Sequence, residues 1–470
     1  ELVALDYREM APSHGNKDMY LDANGKAQTD LSQNGHLSSG VPGTVAGLFA
    51  SMKYARLPFE RLIQPAINLA EKGFAITKKE AGSLNGLKKE LEKYCTQKPV
   101  FLKDGGWKAG DTLVQTDLAN TLKRIRDKGQ AGFYEGETAR LIVEEMKRGN
   151  GIITNEDLKN YQAKFRVPHT FFYKGYKVVG MPMPSSGGLL LNQMMKMVED
   201  RPLPSYGFLS VKAVQLMTEV ERRAYADRAE YMGDADFYKV PVSMLSNDVY
   251  LQNRMKNYDS TKATPSSVIK PGELLRAESE ETTHLSVIDK DGNAVSVTTT
   301  LNNSYGSRTV VGGAGFFLND EMDDFSIKPG VPNLYGAVGG EANAIAPGKR
   351  MLSSMAPTIV LKNDQPFLVL GTPGGTTIPT SVFQSIVDII DFNMTTEDAL
   401  YKPKFHHQWL PDEIFVEGSF PNSLKTELEL MGYKVTKRGT IGRTEIIKVL
   451  PDGRFEAVAD NRGEDGAEGY

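Results

Sequence analysis

Thr282-Thr-His-Leu-Ser-Val-Ile288 is followed, after a short gap, by Ala294-Val-Ser-Val-Thr-Thr-Thr300. Both runs are β-branched, and Asp291-Gly292 lies between them. An Asp-Gly pair tolerates the positive φ that tight turns require, so the two runs read as strands of one hairpin. Closing the hairpin there sets Thr282 opposite a position between 299 and 302, beside Thr300. Side chains two apart on a strand share a face. Thr298, Thr300 and Asn302 therefore project together, and Val295, Val297 and Thr299 form the opposite face, available for burial. A hydroxyl and an amide thus gather near Thr282. Threonine-rich strands are commonplace, so the hairpin alone selects no chemistry.

Upstream the pattern is helical. Phe59 to Lys72, Thr116 to Lys128 before Gly129, and Glu137 to Arg148 before Gly149 carry apolar residues at helical spacing and end at a stop signal. Thr154-Asn-Glu-Asp157 resembles a capping box opening a short helix. Ser210 precedes a long helix with Ala213, Leu216, Met217, Val220 and Ala224 on one face, read as core. Tyr258 to Glu281 has little periodic apolar signal and reads as an exposed linker. Downstream, Thr358 to Leu361 and Phe367 to Leu370 form a second hairpin about Asn363-Asp364, then comes Gly371-Thr-Pro-Gly-Gly375 and a helix near Thr380 to Ile390. Helices first, then strands, then a closing helix is the pattern of stacked α and β layers.

Composition bounds the function. The 470 residues carry 55 Lys and Arg against 59 Asp and Glu, a net charge of -4 with no basic excess for displacing counterions from nucleic-acid phosphates. The single cysteine, Cys95, excludes an internal disulfide and any multi-cysteine metal site. Apolar stretches fall short of the roughly 20 residues that cross a bilayer. Glu1 to Tyr7 reads as a strand under way, with no signal-type segment. His406 and His407 are adjacent rather than at helical metal-pair spacing, so packing or hydrogen bonding is expected of them and no metal site is. No Gly-x-Ser-x-Gly elbow is found, Pro184-Ser-Ser-Gly-Gly188 being the nearest approach.

Several further motifs fall in a fixed order: Glu281-Thr-Thr-His-Leu-Ser286, Thr300-Leu-Asn302, Leu318-Asn-Asp-Glu-Met-Asp-Asp-Phe-Ser326, Lys349-Arg-Met-Leu-Ser-Ser-Met-Ala-Pro357 and Gly371-Thr-Pro-Gly-Gly375. Together with Asp6-Tyr-Arg-Glu-Met-Ala-Pro12, Gly40-Val-Pro-Gly-Thr-Val-Ala-Gly47 and Phe405-His-His-Gln-Trp-Leu-Pro411, they make the chain resemble the γ-glutamyltransferases over essentially its whole length. The resemblance implies an α+β fold, the four-layer αββα sandwich of N-terminal-nucleophile hydrolases. It implies a precursor that cuts itself between Glu281 and Thr282 into a large subunit, 1–281, and a small one, 282–470, interleaved in one composite domain. It also implies an upstream family segment ahead of Glu1 that this sequence does not include.

By the same resemblance Thr282 is the nucleophile toward γ-glutamyl compounds such as glutathione or glutamine, Thr300 orients it, and the amides of Gly374 and Gly375 bind the oxyanion. Arg8, Ser353 and Ser354 take the substrate's α-carboxylate. Asn302, Glu321 and Asp324 take its α-ammonium, and Tyr335 matches a lid position. The acyl group passes to water or to an amino-acid or peptide amine, with no cofactor. Periplasmic or secreted location follows by family analogy. A cephalosporin acylase or poly-γ-glutamate depolymerase would keep Thr282 and change the pocket, whereas an unprocessed homologue would bind glutamyl compounds silently.

Overall fold

The computed structural model describes residues 1–269 and 282–470. Glu281 therefore lies outside the described residues. Local sequence rules fix most element ends. Helix α1 (Phe59–Lys72) starts after Pro58 and stops at Gly73, whose φ of 78° breaks the helix. Helix α2 (Thr116–Lys128) stops at Gly129, and α3 (Gly136–Gly149) at Asn150, which is left-handed. Helix α4 (Asn155–Asn160) opens on the reciprocal capping box of Thr154 and Asp157.

Strands β1 (His169–Tyr173) and β2 (Tyr176–Gly180) pair as a hairpin, and α5 (Gly187–Glu199) follows. Helix α6 (Val211–Tyr231) begins at Ser210, whose hydroxyl accepts from Ala213 N at 3.1 Å. The expected apolar stripe of α6 is buried, and so is much of its charged face: Glu219, Glu221, Arg222, Arg223, Asp227 and Arg228.

Strands β3 (Thr283–Ile288) and β4 (Ala294–Thr299) form the expected hairpin, pairing Thr283 with Thr299 and so setting Thr282 opposite Thr300. Strands β5 (Thr358–Lys362) and β6 (Gln365–Gly371) join through Asn363 and Asp364, at φ 52° and 56°. Helix α7 (Thr377–Ile390) starts three residues before the expected position, and β7 (Glu445–Val449) and β8 (Phe455–Val458) complete the set. A six-stranded sheet has the order β8-β7-β6-β5-β2-β1, every pair antiparallel.

The β3–β4 hairpin packs on this sheet as a second layer, while α5 and α7 pack directly against the sheet and α6 packs on α5. The main core lies between sheet and helices, with Val178, Leu190, Met194, Val220, Val360, Leu368 and Phe383 all fully or almost fully buried. Tight burial of this kind contributes about 1.5–3 kcal/mol for each large side chain. A second apolar cluster ties α2 and α3 to Val311 and Leu318, ahead of the acidic turn at 321–324.

One expectation is reversed. The valine-bearing face of the nucleophile hairpin points outward, leaving Val295 48% and Leu285 57% exposed, while Thr298 and His284 are buried against the sheet. Polar bonds explain the choice. Ser296 Oγ donates to Leu370 O at 2.9 Å and accepts from Thr358 N at 3.0 Å, so this face docks onto the sheet without orphaning its polar atoms. The missing side chain of Gly371 makes room for the His284 imidazole, which bonds Thr298 Oγ1 at 2.9 Å and Ser286 Oγ at 3.0 Å.

The stretch read as an exposed linker is also not uniformly exposed. Thr264, Ser266 and Ile269 are buried. Ser266 N donates to Asp412 Oδ2 at 2.7 Å, and the Trp409 indole N–H donates to Ile269 O at 2.7 Å. Its end, from 270 to Glu281, lies outside the described residues.

Candidate active site

Thr282 sits one residue ahead of β3, 7% exposed, and its hydroxyl donates to Thr300 Oγ1 at 3.4 Å. Thr300 Oγ1 also accepts from Asn302 N at 2.8 Å, which fixes the start of the loop after β4. Asn302 takes a φ of 80°, and its side-chain amide donates to Asp320 O at 3.1 Å. The hairpin register thus places a hydroxyl pair at the mouth of a cavity walled by Arg8, Asp324, Tyr335, Ser353, Ser354 and Gly375.

Arg8 follows Asp6, whose carboxylate accepts from Arg8 N at 2.9 Å and from Arg166 Nε at 2.6 Å. Its guanidinium is forked between Glu321 and Asp324. Burial works against the cation, yet Glu321, Asp324 and Glu9 outweigh it and hold the Arg8 pKa above its ordinary value. Burial likewise raises the carboxyls of Glu321 and Asp324, with Arg8 opposing. Glu321 is fully buried and stands behind Arg8 rather than on the cavity wall, whereas Asp324 reaches the cavity. The acidic turn is held by Asn319 Oδ1, which accepts from Glu321 N at 3.1 Å.

Asp323 points away from the cavity. It accepts from Ser32 Oγ at 2.5 Å and Leu334 N at 2.6 Å, and burial pushes its pKa up to about 7. The Leu334 bond ties the loop carrying Tyr335 to the acidic turn. Asn333 completes the tie by donating to Asp324 Oδ1 at 3.1 Å and accepting from Tyr335 N at 3.0 Å. Tyr335 is 4% exposed; its hydroxyl donates to Asn302 O, and its ring lies against Gly375.

Gly374 and Gly375 lead into α7 with φ of 138° and 53°. A Cβ on Gly375 would come within 2.5 Å of Tyr335 Cδ1, so glycine is required by conformation and by space. Backbone N–H groups at such a helix entrance suit a developing negative charge. Ser353 Oγ accepts from Met355 N at 3.0 Å and Ser354 Oγ from Arg228 at 3.0 Å.

The structure therefore gathers Thr282, Thr300, Asn302, Arg8, Asp324, Tyr335, Ser353, Ser354 and Gly375 round one cavity. Arg228 and Asn333 line it too, and sequence reasoning did not single them out. Asn333 sits in a Pro/Gly loop, and Arg228 in a helix whose charges look like a solvated face. His406 and His407 take the expected structural place: His406 bonds Thr380 Oγ1 at 2.8 Å and His407 Nδ1 accepts from Trp409 N at 3.0 Å. Among the described residues no helix is long and apolar enough to cross a membrane.

Stacked sheets with a buried threonine at the head of a strand define the class of N-terminal-nucleophile hydrolases. The sequence model of the gamma-glutamyltranspeptidase family matches residues 1–470, and the chain belongs to that family. It is 47% identical over 467 residues to the glutathione hydrolase proenzyme of Escherichia coli, covering 98% of this chain and 80% of that one. The cephalosporin acylase of Bacillus halodurans superimposes with a TM-score of 0.86 at 26% identity, over 100% of this chain and 85% of the other. The gamma-glutamyltranspeptidase of Helicobacter pylori gives 0.56 at 45% identity, over 58% of this chain and 79% of the other.

Proposed function

We propose that the protein is a γ-glutamyltransferase and glutathione hydrolase that matures by cutting itself before Thr282 into a large subunit, 1–281, and a small subunit, 282–470. The observation that carries this reading is the Thr282–Thr300 hydroxyl contact in a cavity shared by Arg8 and Asp324. In the precursor the Thr282 nitrogen is an amide, so its hydroxyl attacks the Glu281 carbonyl and water opens the resulting ester. The freed α-amine, with an ordinary pKa of about 7.7–8.0, then serves as base to the hydroxyl of the same residue.

In turnover the Thr282 hydroxyl adds to the γ-carbonyl of the donor and its proton passes to the α-amine. The N–H groups of Gly374 and Gly375 hold the oxyanion. The C–N bond then breaks, the leaving amine takes the proton, and an ester on Thr282 remains. Water or an amino-acid or peptide amine resolves it. Arg8, Ser353 and Ser354 take the donor's α-carboxylate, and Asn302 and Asp324 its α-ammonium, with Glu321, expected beside them, holding Arg8 from behind the cavity wall. Tyr335 closes the wall over the acyl group. The donor brings opposite charges to a site that already pairs them, which favours a γ-glutamyl amide over a cephalosporin side chain. Export to the periplasm or beyond the cell is proposed by likeness to the family.

The test is intact mass with N-terminal sequencing after incubation at neutral pH, beside Thr282→Ala, followed by a γ-glutamyl anilide assay. Fragments beginning at Thr282 in the wild type alone, with anilide release, are expected. An uncut wild-type chain that binds glutamyl compounds without turnover would overturn the reading in favour of a silent binding protein.

A further inference from the structure

Arg228 lies in the last turn of α6, 6% exposed, on the wall of the cavity. A buried guanidinium normally has a carboxylate partner, because desolvating an unpaired cation is costly. Among the described residues none forms an ion pair with Arg228. Its N–H groups donate instead to two serine hydroxyls, Ser186 Oγ at 3.1 Å and Ser354 Oγ at 3.0 Å. Arg8, by contrast, is shared between two acids. Asp324 acts on Arg228 only at longer range, so the site holds one cation in direct ion pairs and one bonded to hydroxyls.

The hydrogen-bond directions say what the second one does. A hydroxyl that accepts from an N–H keeps its own proton to give away. Ser354 accepts from Arg228 and Ser353 accepts from Met355 N, so both O–H groups are free to donate into the cavity. Ser186 Oγ accepts from Arg228 and donates to Ser353 O at 2.8 Å, and Ser186 N donates to the same oxygen at 2.8 Å. Arg228 thus fixes the backbone of the serine pair through one arm and the hydroxyl of Ser354 through the other. The same helix sends Tyr225 OH to Thr376 O, next to the Gly374-Gly375 turn.

We propose that Arg228 is a positioning residue for the donor's α-carboxylate, acting through Ser354 and Ser186 to present the two serine hydroxyls as donors. This rests on the γ-glutamyl reading above. No bond is made or broken at Arg228, and its effect is on donor binding, with self-cleavage left intact.

The experiment compares two donors, γ-glutamyl p-nitroanilide with a free α-carboxylate and its α-carboxamide, on wild type, Arg228→Gln, Arg228→Lys and Ser354→Ala. The expected result is that Arg228→Gln raises KM for the free acid about tenfold or more, a charge-assisted bond's worth. Its kcat changes far less, and its kcat/KM falls several-fold less for the carboxamide, which accepts from the serine hydroxyls without a charge, than for the free acid. Arg228→Lys recovers part of the KM, and adding Ser354→Ala to Arg228→Gln costs less than it costs wild type. Equal losses on both donors, or additive effects of the two substitutions, would overturn the role and leave a purely structural arginine. Should Arg228→Gln not fold, Arg228→Lys and Ser186→Ala carry the same comparison. Wild type releasing p-nitroaniline from neither donor would instead overturn the functional reading itself.

Discussion

Thr282 Oγ1 lies 3.4 Å from Thr300 Oγ1, across a hairpin whose register sets the two residues opposite one another. Thr300 is in turn held by Asn302 N at 2.8 Å, so the hydroxyl facing the nucleophile is not free to rotate away. Thr300→Ala is expected to lower kcat about 10- to 100-fold, the loss of one orienting bond at about 1.5–3 kcal/mol. Thr300→Ser keeps the oxygen and should retain most activity. Steady-state kinetics on the processed enzyme decides it, and equal losses in both variants would assign the effect to packing of the methyl group.

Gly375→Ala is expected to abolish most turnover. The new Cβ meets the Tyr335 ring at 2.5 Å and the residue is held at φ 53°, so the amide beside it must shift. Moving one oxyanion donor costs about 100- to 1,000-fold in kcat. The companion change Tyr335→Ala removes the clash, and activity regained in the pair would trace the loss to that contact.

Arg8 bridges Glu321, which is buried, and Asp324, which is partly buried. Arg8→Met strips two carboxyls of their cation and is expected to destabilise the fold by about 3–5 kcal/mol, read from urea unfolding. Arg8→Lys keeps the charge but not the fork, and should fall between. A methionine variant as stable as wild type would show that the acids protonate at little cost.

Asp323 gives a pH signature. Its folded pKa is about 7, raised by burial, against about 3.9 in an unfolded chain. Between those values the unfolded chain has released the proton that the folded chain still holds, so folding stability declines as pH rises, by up to about 1.4 kcal/mol per unit, and levels off above pH about 7. Asp323→Asn does not titrate. Its melting temperature should gain on wild type from pH 5 to 7.5 and then run parallel. A constant difference across that range would exclude this group as the origin.

The hairpins were legible because short-range chemistry sets their register: Asp291-Gly292 and Asn363-Asp364 occupy turns that only such residues enter comfortably. Helix ends at Gly73, Gly129 and Thr154 were legible for the same reason. Which side of the β3–β4 hairpin is buried was not. Alternation favours burying valines, but the decision rests on Ser296 meeting Leu370 and Thr358, a tertiary match invisible to a local pattern. Membership of the site by Arg8, Asp324 and Ser353 came from motif order, since they lie hundreds of positions apart in some pairs. That Arg8 would be occupied by both acids, and that Arg228 would be buried, depends on packing no spacing encodes.

The six-stranded sheet takes β1 and β2 from before residue 282 and its remaining strands from after it, with Lys177 to Gly180 paired to Leu361 to Thr358 in its interior. A cut ahead of Thr282 therefore severs the chain without opening a seam between modules. The two pieces would be bound like the halves of a split protein, along a continuous hydrogen-bonded ladder and a common core. Dilution should not part them while the fold stands. Once denaturant has separated them, regaining the native state becomes a second-order encounter whose rate scales with fragment concentration, whereas the uncut chain refolds at a rate independent of it.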